Sequence, residues 1–505
     1  MGLPFEHGLH STLVATRLAD RLDVDPETAS QTYYGCLLFY VGCTADANTA
    51  AEVFGDDFAL TTQGLPVRFG SRSEMIAGIL RALATPGSAP ALRAAQIAQR
   101  IPKAARAFKH HTAAFCEVAQ MLTGRLGLPA SVQALFAHVE ERWDGKGRPG
   151  RAGGSEIPLP VRIVHVARDA ALQHMLGGRE SAARIIRERG GHAFDPVIAA
   201  RLADDAEEIL ALDADRSAWE ETLASEPTPW LILGGAAIDR ALAAMGDFAD
   251  LASPYLVGHS AEVSVLATLA AEHCGFGVAD LVGIRRAALV HDVGRAVVPV
   301  RIWQKAAPLT PDDWEQVRLH AYHSERILVR SPFLAGLAPI ATTHHERLDG
   351  SGYHRGLAAA ALTPPARLLA AADAYHAMTE PRPHRVALEP GLAAETLSRE
   401  VSAGQLDGDA AAAVIEASGQ RPPRINRPAS LTEREVEVVG LLARGMQTKQ
   451  VARALGISAK TADRHVQNAY GKIGVSTRAA ATLFAMQHGL VAWGELPIPR
   501  PPGRS

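Results

Sequence analysis

Ala287-Ala288-Leu289-Val290-His291-Asp292-Val293-Gly294-Arg295 sets an imidazole beside a carboxylate at the end of an apolar run. Alone, such a dipeptide reads as a satisfied core histidine next to a solvated aspartate. Here it has company. His259-Ser260 precedes it, and His320 follows at helical spacing from Ile327 and Leu328. His344-His345-Glu346 then leads into Asp349-Gly350-Ser351-Gly352-Tyr353, and Asp373 sits in an Ala-rich helical segment. Half of the chain's 20 histidines lie between residues 259 and 384. Imidazole and carboxylate together suit borderline divalent metals such as Mn, Fe or Zn. A His-Asp pair at the end of a buried helix can serve two neighbouring ions. Two ions so placed can share a hydroxide and clamp a phosphate for in-line attack. His323, three residues after His320, reads as a surface histidine.

The rest of the composition fits a helical, globular chain. At roughly 100–200 residues per domain, 505 residues imply two to four domains. Apolar residues at 47% and charged residues at 21% exclude long disorder, collagen-like repeats and a mainly coiled-coil chain. Aromatics at 5% and abundant Ala favour small-residue helix packing over a β-sandwich. No apolar run reaches the ~18 residues of a membrane span, so no membrane partner is expected. Met1-Gly2-Leu3-Pro4-Phe5-Glu6-His7 lacks the basic and apolar regions of a secretory signal. The four cysteines, Cys36, Cys43, Cys116 and Cys274, have no zinc-type spacing and read as buried or free thiols. Both observations point to a cytoplasmic location.

Charge is uneven. The whole chain carries −3, yet residues 431–490 hold eight Lys/Arg against four Asp/Glu, a net +4. Arg421-Pro422-Pro423-Arg424-Ile425-Asn426-Arg427-Pro428 precedes them and cannot continue a helix. A small basic module on an acidic body is the footprint of a polyanion partner. Its caps predict four helices. Thr432 with Glu435 forms a capping box, Thr448 caps a second helix, Ser458 a third and Ser476 a fourth running to about Gly489. Helix, tight turn, helix is the arrangement that places a recognition helix in the DNA major groove. In the third helix Ala462, Val466, Ala469, Tyr470 and Ile473 fall on one face and are expected inside. Lys460, Thr461, Arg464, His465, Asn468 and Lys472 fall on the other, with donors for phosphates and base edges.

This module resembles LuxR-type helix-turn-helix domains. The resemblance starts at Leu431-Thr432-Glu433-Arg434-Glu435-Val436-Glu437-Val438 and runs through Leu442-Ala443-Arg444-Gly445 and Lys449-Gln450-Val451-Ala452. It continues through Leu455-Gly456-Ile457-Ser458, Thr461, His465 and Lys472-Ile473-Gly474-Val475. Thr448 stands where the family usually has Asn, and Ala462 where it usually has Val. The resemblance implies double-stranded DNA as partner, sequence-selective binding by a homodimer, and Lys449 among the contacting residues.

From about Asp250 to Asp409 the chain resembles the HD superfamily of metal-dependent phosphohydrolases, and within it the HD-GYP branch that cleaves cyclic dinucleotides. Ala366-Arg367-Leu368-Leu369 before Asp373 and Arg382-Pro383 after it extend the match. The resemblance implies His259, His291, Asp292, His320, His344, His345 and Asp373 as ligands of two divalent ions, with Asp292 bridging. It makes Asp292, Arg295 and Asp349 the catalytic candidates, Arg295 steadying the phosphate. Asp247 and Asp250 are candidates for a third ion. Three residues depart from the pattern: Arg295 replaces Lys, His354 follows Gly352-Tyr353 instead of Pro, and His384 replaces Tyr after Arg-Pro. They leave open a sensor without turnover.

The first part of the chain echoes this domain. His10-Ser11 echoes His259-Ser260, and Leu37-Leu38-Phe39-Tyr40-Val41-Gly42 echoes Leu289 to Gly294. Glu141-Arg142-Trp143-Asp144-Gly145-Lys146-Gly147 echoes Glu346 to Gly352, and Asp169 echoes Asp373. Phe39 and Tyr40 cannot ligate as His and Asp do, and Val139-Glu140 stand in place of the double His. This copy is expected to have lost its metals; His110 and His111 read as ordinary residues. The expected architecture is all-α: a degenerate HD-like domain over 1–230, a metal-bearing HD-GYP-like domain over 235–420, a linker over 421–428, the helix-turn-helix domain over 429–491 and a disordered tail over 492–505.

Overall fold

A computed structural model describes residues 6–42, 53–54, 71–84, 87–211, 217–421, 429, 431–488 and 490. The linker 422–428, the tail 492–505, Cys43 and Gly489 lie outside these, as do the side chains of His110 and His111. The described residues contain helices and no β-strand, as expected. Chain contacts divide it into two compact units. One comprises Met1–Ala244, Leu251–Pro254 and Pro299–Trp303; the other comprises Met245–Asp250, Tyr255–Val298 and Gln304–Ser505.

In the first unit the principal helices are α1 (His7–Arg21), α2 (Pro26–Leu37), α3 (Arg72–Ala82), α4 (Pro90–Arg125), α5 (Leu159–Glu188) and α6 (Pro196–Asp204). Asp25 caps α2 through Thr28 N–H, with Pro26 at the first helical position where no N–H is needed. Val14, Ala15 and Leu18 of α1 share one buried cluster with Ile163, Val166, Ala167 and Ala170 of α5. Helix α7 (Ala236–Asp250) starts in this unit and ends in the other.

The second unit contains α8 (His259–His273), α9 (Val278–Val290), α10 (Pro311–Leu328), α11 (Ala338–Ala341), α12 (Pro364–Thr379), α13 (Pro390–Ser402) and α14 (Gly408–Ala417). Ala267, Ala270 and Ala271 of α8 pack with Ala288 of α9, Leu369 and Ala372 of α12, and Val414 of α14. Alanines at the contacts bring these helices close, so residues 290–292 and 373 lie near His259.

The basic module follows in the same unit as α15 (Glu433–Ala443), α16 (Thr448–Ala454), α17 (Ala459–Ile473) and α18 (Arg478–Gln487). Thr432 and Glu435 form the expected capping box, and Ser458 accepts from Thr461 N–H. Two caps differ by one residue. Gln447, not Thr448, precedes α16, and its backbone N–H donates to Gln450 Oε1 at 2.8 Å. Thr477, not Ser476, caps α18 through Ala480 N–H. Val439, Ala443, Ala469 and Ala485 form one buried cluster, and Val438, Leu442, Val451 and Val466 another. No described helix is long and apolar enough to cross a membrane.

Candidate dinuclear metal centre

The His-Asp stretch is built by close packing. Ala287 to Asp292 are all buried. After Asp292 the chain makes a 3₁₀ turn, Val293–Val297, against α10. A Cβ on Gly294 would collide with His320 O and Ser324 N, so only glycine allows this approach. Gly294 N–H donates to Ser324 Oγ at 2.9 Å, and that hydroxyl donates to His291 O at 2.7 Å. The turn is thereby locked to the helix that carries His320.

Asp292 is fully buried, and its two oxygens face different partners. Oδ1 lies 3.1 Å from His320 Nε2 and 3.4 Å from His344 Nε2. Oδ2 lies 2.9 Å from His291 Nε2 and 3.4 Å from His259 Nε2. Asp373 Oδ1 adds to the second group at 3.2 Å from His259 Nε2, while its Oδ2 lies 3.8 Å from His345 Nδ1. Two ligand sets result, each with donor atoms within 4.8 Å of one another: Asp292, His320, His344 and His345; and His259, His291, Asp292 and Asp373. Asp292 belongs to both.

The tautomers are set from behind. His291 Nδ1 lies 2.7 Å from Ala288 O, His320 Nδ1 2.5 Å from Val317 O and His344 Nδ1 2.6 Å from Ala341 O. Each ring donates its Nδ1–H to the carbonyl three residues back and turns Nε2 towards Asp292. Ligating histidines are ordinarily held in this way. Mixed nitrogen and oxygen donors in two adjoining sets fit two borderline divalent ions.

Electrostatics favour a cation here. Burial opposes ionisation of Asp292 and Asp373, but Arg295, His291 and His259 hold Asp292 well below the usual carboxylate range, and His259 and His291 do so for Asp373. Burial would lower His259 and His291, yet the Asp292 and Asp373 carboxylates push them up to about 10 and about 9. His344 and His345 go down, mainly by burial. Protons on the first two imidazoles do the work that cations would do, and binding a metal must displace them.

The remaining predicted residues fall as follows. Arg295 is buried, with Nη2 2.5 Å from Asp292 Oδ2. Asp349 does not join the site. It is exposed, and its carboxylate accepts Ser351 N–H at 2.9 Å as a turn residue. Asp250 is also committed elsewhere, accepting Ser260 N–H at 2.8 Å and Ser260 Oγ–H at 3.1 Å. Asp247 and His323 belong to neither ligand set. Tyr353 stacks on His345 with ring centroids 4.6 Å apart. Buried Glu346 accepts Arg355 N–H and Leu357 N–H, both at 2.8 Å, fixing the loop that carries Tyr353. Two residues given no part in the sequence reading, His376 and Glu380, lie against His259. Their spacing from Asp373, three and seven residues on, is the available signal.

On α17 the inward residues Ala462, Val466 and Ala469 are buried, whereas Lys460, Arg464 and Asn468 are exposed, as is Lys449 on α16. Thr461 and His465 are half-buried. Lys472 differs from expectation: its Nζ lies 2.6 Å from Glu435 Oε2, tying α17 to the cap of α15.

The first unit repeats the scaffold without the ligands. Glu141 accepts Gly150 N–H and Arg151 N–H as Glu346 does from its own loop. Asp144 accepts Lys146 N–H as Asp349 does from Ser351. Arg162 pairs with Asp195, the cap of α6, just as Arg367 pairs with Asp407, the cap of α14. A Cβ on Gly42 would strike Phe115 O, which puts Phe115 in the place of His320. Where metals would sit, Arg168 lies over the Phe39 ring at 3.5 Å and donates to Tyr40 Oη at 3.0 Å. Asp169 pairs with Arg189 at 3.1 Å. Among the described residues this unit has no metal-ligand grouping.

Comparison with known proteins agrees with this duplication. The HD domain family matches residues 98–198 and 244–410, and the luxR family of bacterial regulatory proteins matches 429–485. The chain is 28% identical over 398 residues to a 3′3′-cGAMP-specific phosphodiesterase 3 of Vibrio cholerae, covering 77% of this chain and 85% of that protein. It is 40% identical over 129 residues to a cyclic di-GMP phosphodiesterase of Thermotoga maritima, covering 25% of this chain and 35% of that one. The crystal structure of a cyclic GMP-AMP-specific phosphodiesterase of V. cholerae shares the fold, with a TM-score of 0.53 over 83% of this chain and 94% of that one at 24% identity. The chain belongs to the HD domain family and carries a LuxR-type helix-turn-helix domain at its C-terminal end.

Proposed function

We propose that the chain is a cytoplasmic, homodimeric transcription regulator whose second HD copy binds two divalent ions and hydrolyses a cyclic dinucleotide. The observation that carries the reading is Asp292, whose two oxygens face two separate sets of ligands. Bound ions supply Lewis-acid polarisation of a phosphodiester and acidification of a water. The protein's own part is to hold imidazole tautomers, to shelter the site from bulk water and to place the Tyr353 ring beside it. The likeness to phosphodiesterases of two cyclic dinucleotides supports the substrate class. The domain division proposed is 1–230, 235–420 and 429–491, joined by the basic linker.

Incubation of Mn- or Fe-loaded protein with 3′3′-cGAMP and with cyclic di-GMP tests the reading, and linear dinucleotide is the expected product. One observation favours a second reading, a sensor without turnover: Arg295 is paired to Asp292 rather than open to a phosphate. Full metal occupancy with tight nucleotide binding and no product selects that reading.

Lys449, Lys460, Thr461, Arg464, His465 and Asn468 are proposed to face DNA. Arg464→Ala should weaken operator binding and reduce the dependence of log K on log salt by about one. Lys472→Ala should act chiefly on stability, since its ammonium is held by Glu435. Titration of duplex DNA at several salt concentrations separates the two.

A further inference from the structure

We infer that Glu380 is a positioning residue for the metal centre: it accepts the Nδ1–H of His259 and so aims the His259 Nε2 lone pair at the ion held with His291, Asp292 and Asp373. The inference rests on the dinuclear centre proposed above and adds a residue that lies outside both ligand sets.

His259 differs from three other histidines of the site. His291, His320 and His344 each give Nδ1–H to the carbonyl three residues earlier. For His259 that carbonyl is Leu256 O, which accepts the His259 backbone N–H at 3.0 Å, while the ring's Nδ1 faces Glu380 instead. His259 is the first residue of α8 and needs a partner from elsewhere in the chain. Glu380, just past the end of α12, provides it: Oε2 lies 2.9 Å from His259 Nδ1. Arg382 Nη2 donates to the same oxygen at 2.8 Å, and its Nη1 donates to Tyr255 O at 2.8 Å. The carboxylate is thus clamped to the turn that leads into α8.

His376 Nδ1 lies 3.3 Å from His259 Nδ1 and 3.4 Å from Glu380 Oε1, so His259, His376 and Glu380 could themselves be taken for a third ion site. The chemistry of the ring argues otherwise. A neutral imidazole has one N–H and one lone pair. His259 Nε2 lies 3.2 Å from Asp373 and 3.4 Å from Asp292, where a ligand lone pair is needed. Nδ1 therefore carries the hydrogen, and a carboxylate at 2.9 Å is its acceptor.

The full-length chain is loaded with Mn²⁺, equilibrated against graded chelator, and its metal is counted by elemental analysis. Wild type should hold two ions. Glu380→Ala should hold one ion as wild type does and release the other at about 10–100-fold lower chelator, the cost of losing such a partner. Glu380→Gln keeps an oxygen that can accept Nδ1–H and should shift less than about tenfold; it carries the test if the alanine variant does not fold. His320→Ala should weaken the other ion, so that combined with Glu380→Ala it leaves neither tightly held. Wild-type retention of both ions by Glu380→Ala overturns the inference alone. So does a wild type with three ions that falls to two in Glu380→Ala, because Glu380 would then be a ligand. A wild type with no ion overturns the metal centre and this inference together.

Discussion

The two HD copies place different chemistry on the same scaffold. Both keep the buried glutamate that holds a loop through backbone N–H groups, the Asx turn and the arginine that pairs with a helix-capping aspartate. They diverge where charge converges. In the second copy, Asp292 and Asp373 lie among five imidazoles, an arrangement that invites external cations. In the first, the cation is Arg168, stacked on Phe39 and bonded to Tyr40, and the retained Asp169 is neutralised by Arg189. Buried charge demands a partner. Among the described residues of the first copy the chain itself supplies the cations, Arg168 beside Phe39 and Tyr40 and Arg189 beside Asp169. The comparison also reassigns Asp349. Its counterpart Asp144 makes the same turn in a copy that has no metal-ligand grouping among the described residues, so the turn alone explains both residues.

The largest effect that tests this contrast is loss of the shared carboxylate. Asp292→Ala in metal-free protein removes the partner of Arg295 and of four imidazoles, and should destabilise the second copy by about 3–5 kcal/mol. The measurement is denaturant unfolding read by hydrogen exchange, which assigns the loss to peptides of 255–420. Arg168→Ala should act on the first copy by about 2 kcal/mol, from a lost cation–π contact and a lost hydrogen bond. Its thermal shift should be the same with Mn²⁺ or chelator, because no metal-ligand grouping lies there among the described residues. A metal-sensitive shift would break the contrast.

The raised histidines should give the second copy a pH dependence of its own. In metal-free protein His259 and His291 are raised to about 10 and about 9. The folded state then binds more protons than the unfolded state above the unfolded value of about 6.5. Their contribution is complete below that pH and is lost as pH climbs through 9 to 10. In the first copy burial lowers His7 to about 4 and His165 to about 3. Their contribution is complete above about 6.5 and is lost as pH falls through 4 to 3. Hydrogen exchange of the chelated protein across this range should show the second copy loosening as pH climbs through 9 to 10, on account of His259 and His291, and the first loosening as pH falls through 4 to 3, on account of His7 and His165. The second copy also loosens at low pH, where Asp292, Asp373, His344 and His345 take up protons, so a second copy that keeps its protection through pH 9 to 10 is the result that would contradict the assignment. The smallest effect lies outside both copies. Thr432→Ala should cost about 1 kcal/mol through the lost cap of α15, read as a lower unfolding midpoint of peptides 431–488.

How much of this was visible in the sequence depends on the kind of contact. The candidate metal-ligand residues could be listed because each is a recognisable type in a recognisable order, and Thr432 with Glu435 announced a cap because both members are local. Thr477 is not told from Ser476 because the two share one capping chemistry a residue apart, whereas Gln447 gives no signal because its side chain caps nothing and only its backbone N–H is held, by Gln450. Phe115 could not be matched to His320: a phenyl ring and an imidazole share no chemistry, and only the close approach of Gly42 and Gly294 to the two helices aligns them. Glu380 was invisible for a related reason, since its role exists only where the chain returns to His259 from residues more than a hundred positions away. Lys472 lay on the expected face of its helix, but a carboxylate from another helix had claimed it.

Elemental analysis of the purified full-length chain, beside a Tyr40→Phe variant and a His291→Ala/His344→Ala variant, tests the central claim most directly. The account predicts two divalent ions in wild type, two in Tyr40→Phe, and loss of tightly held metal in the double variant. Wild-type protein free of metal after loading, or a double variant that retains both ions, would contradict it.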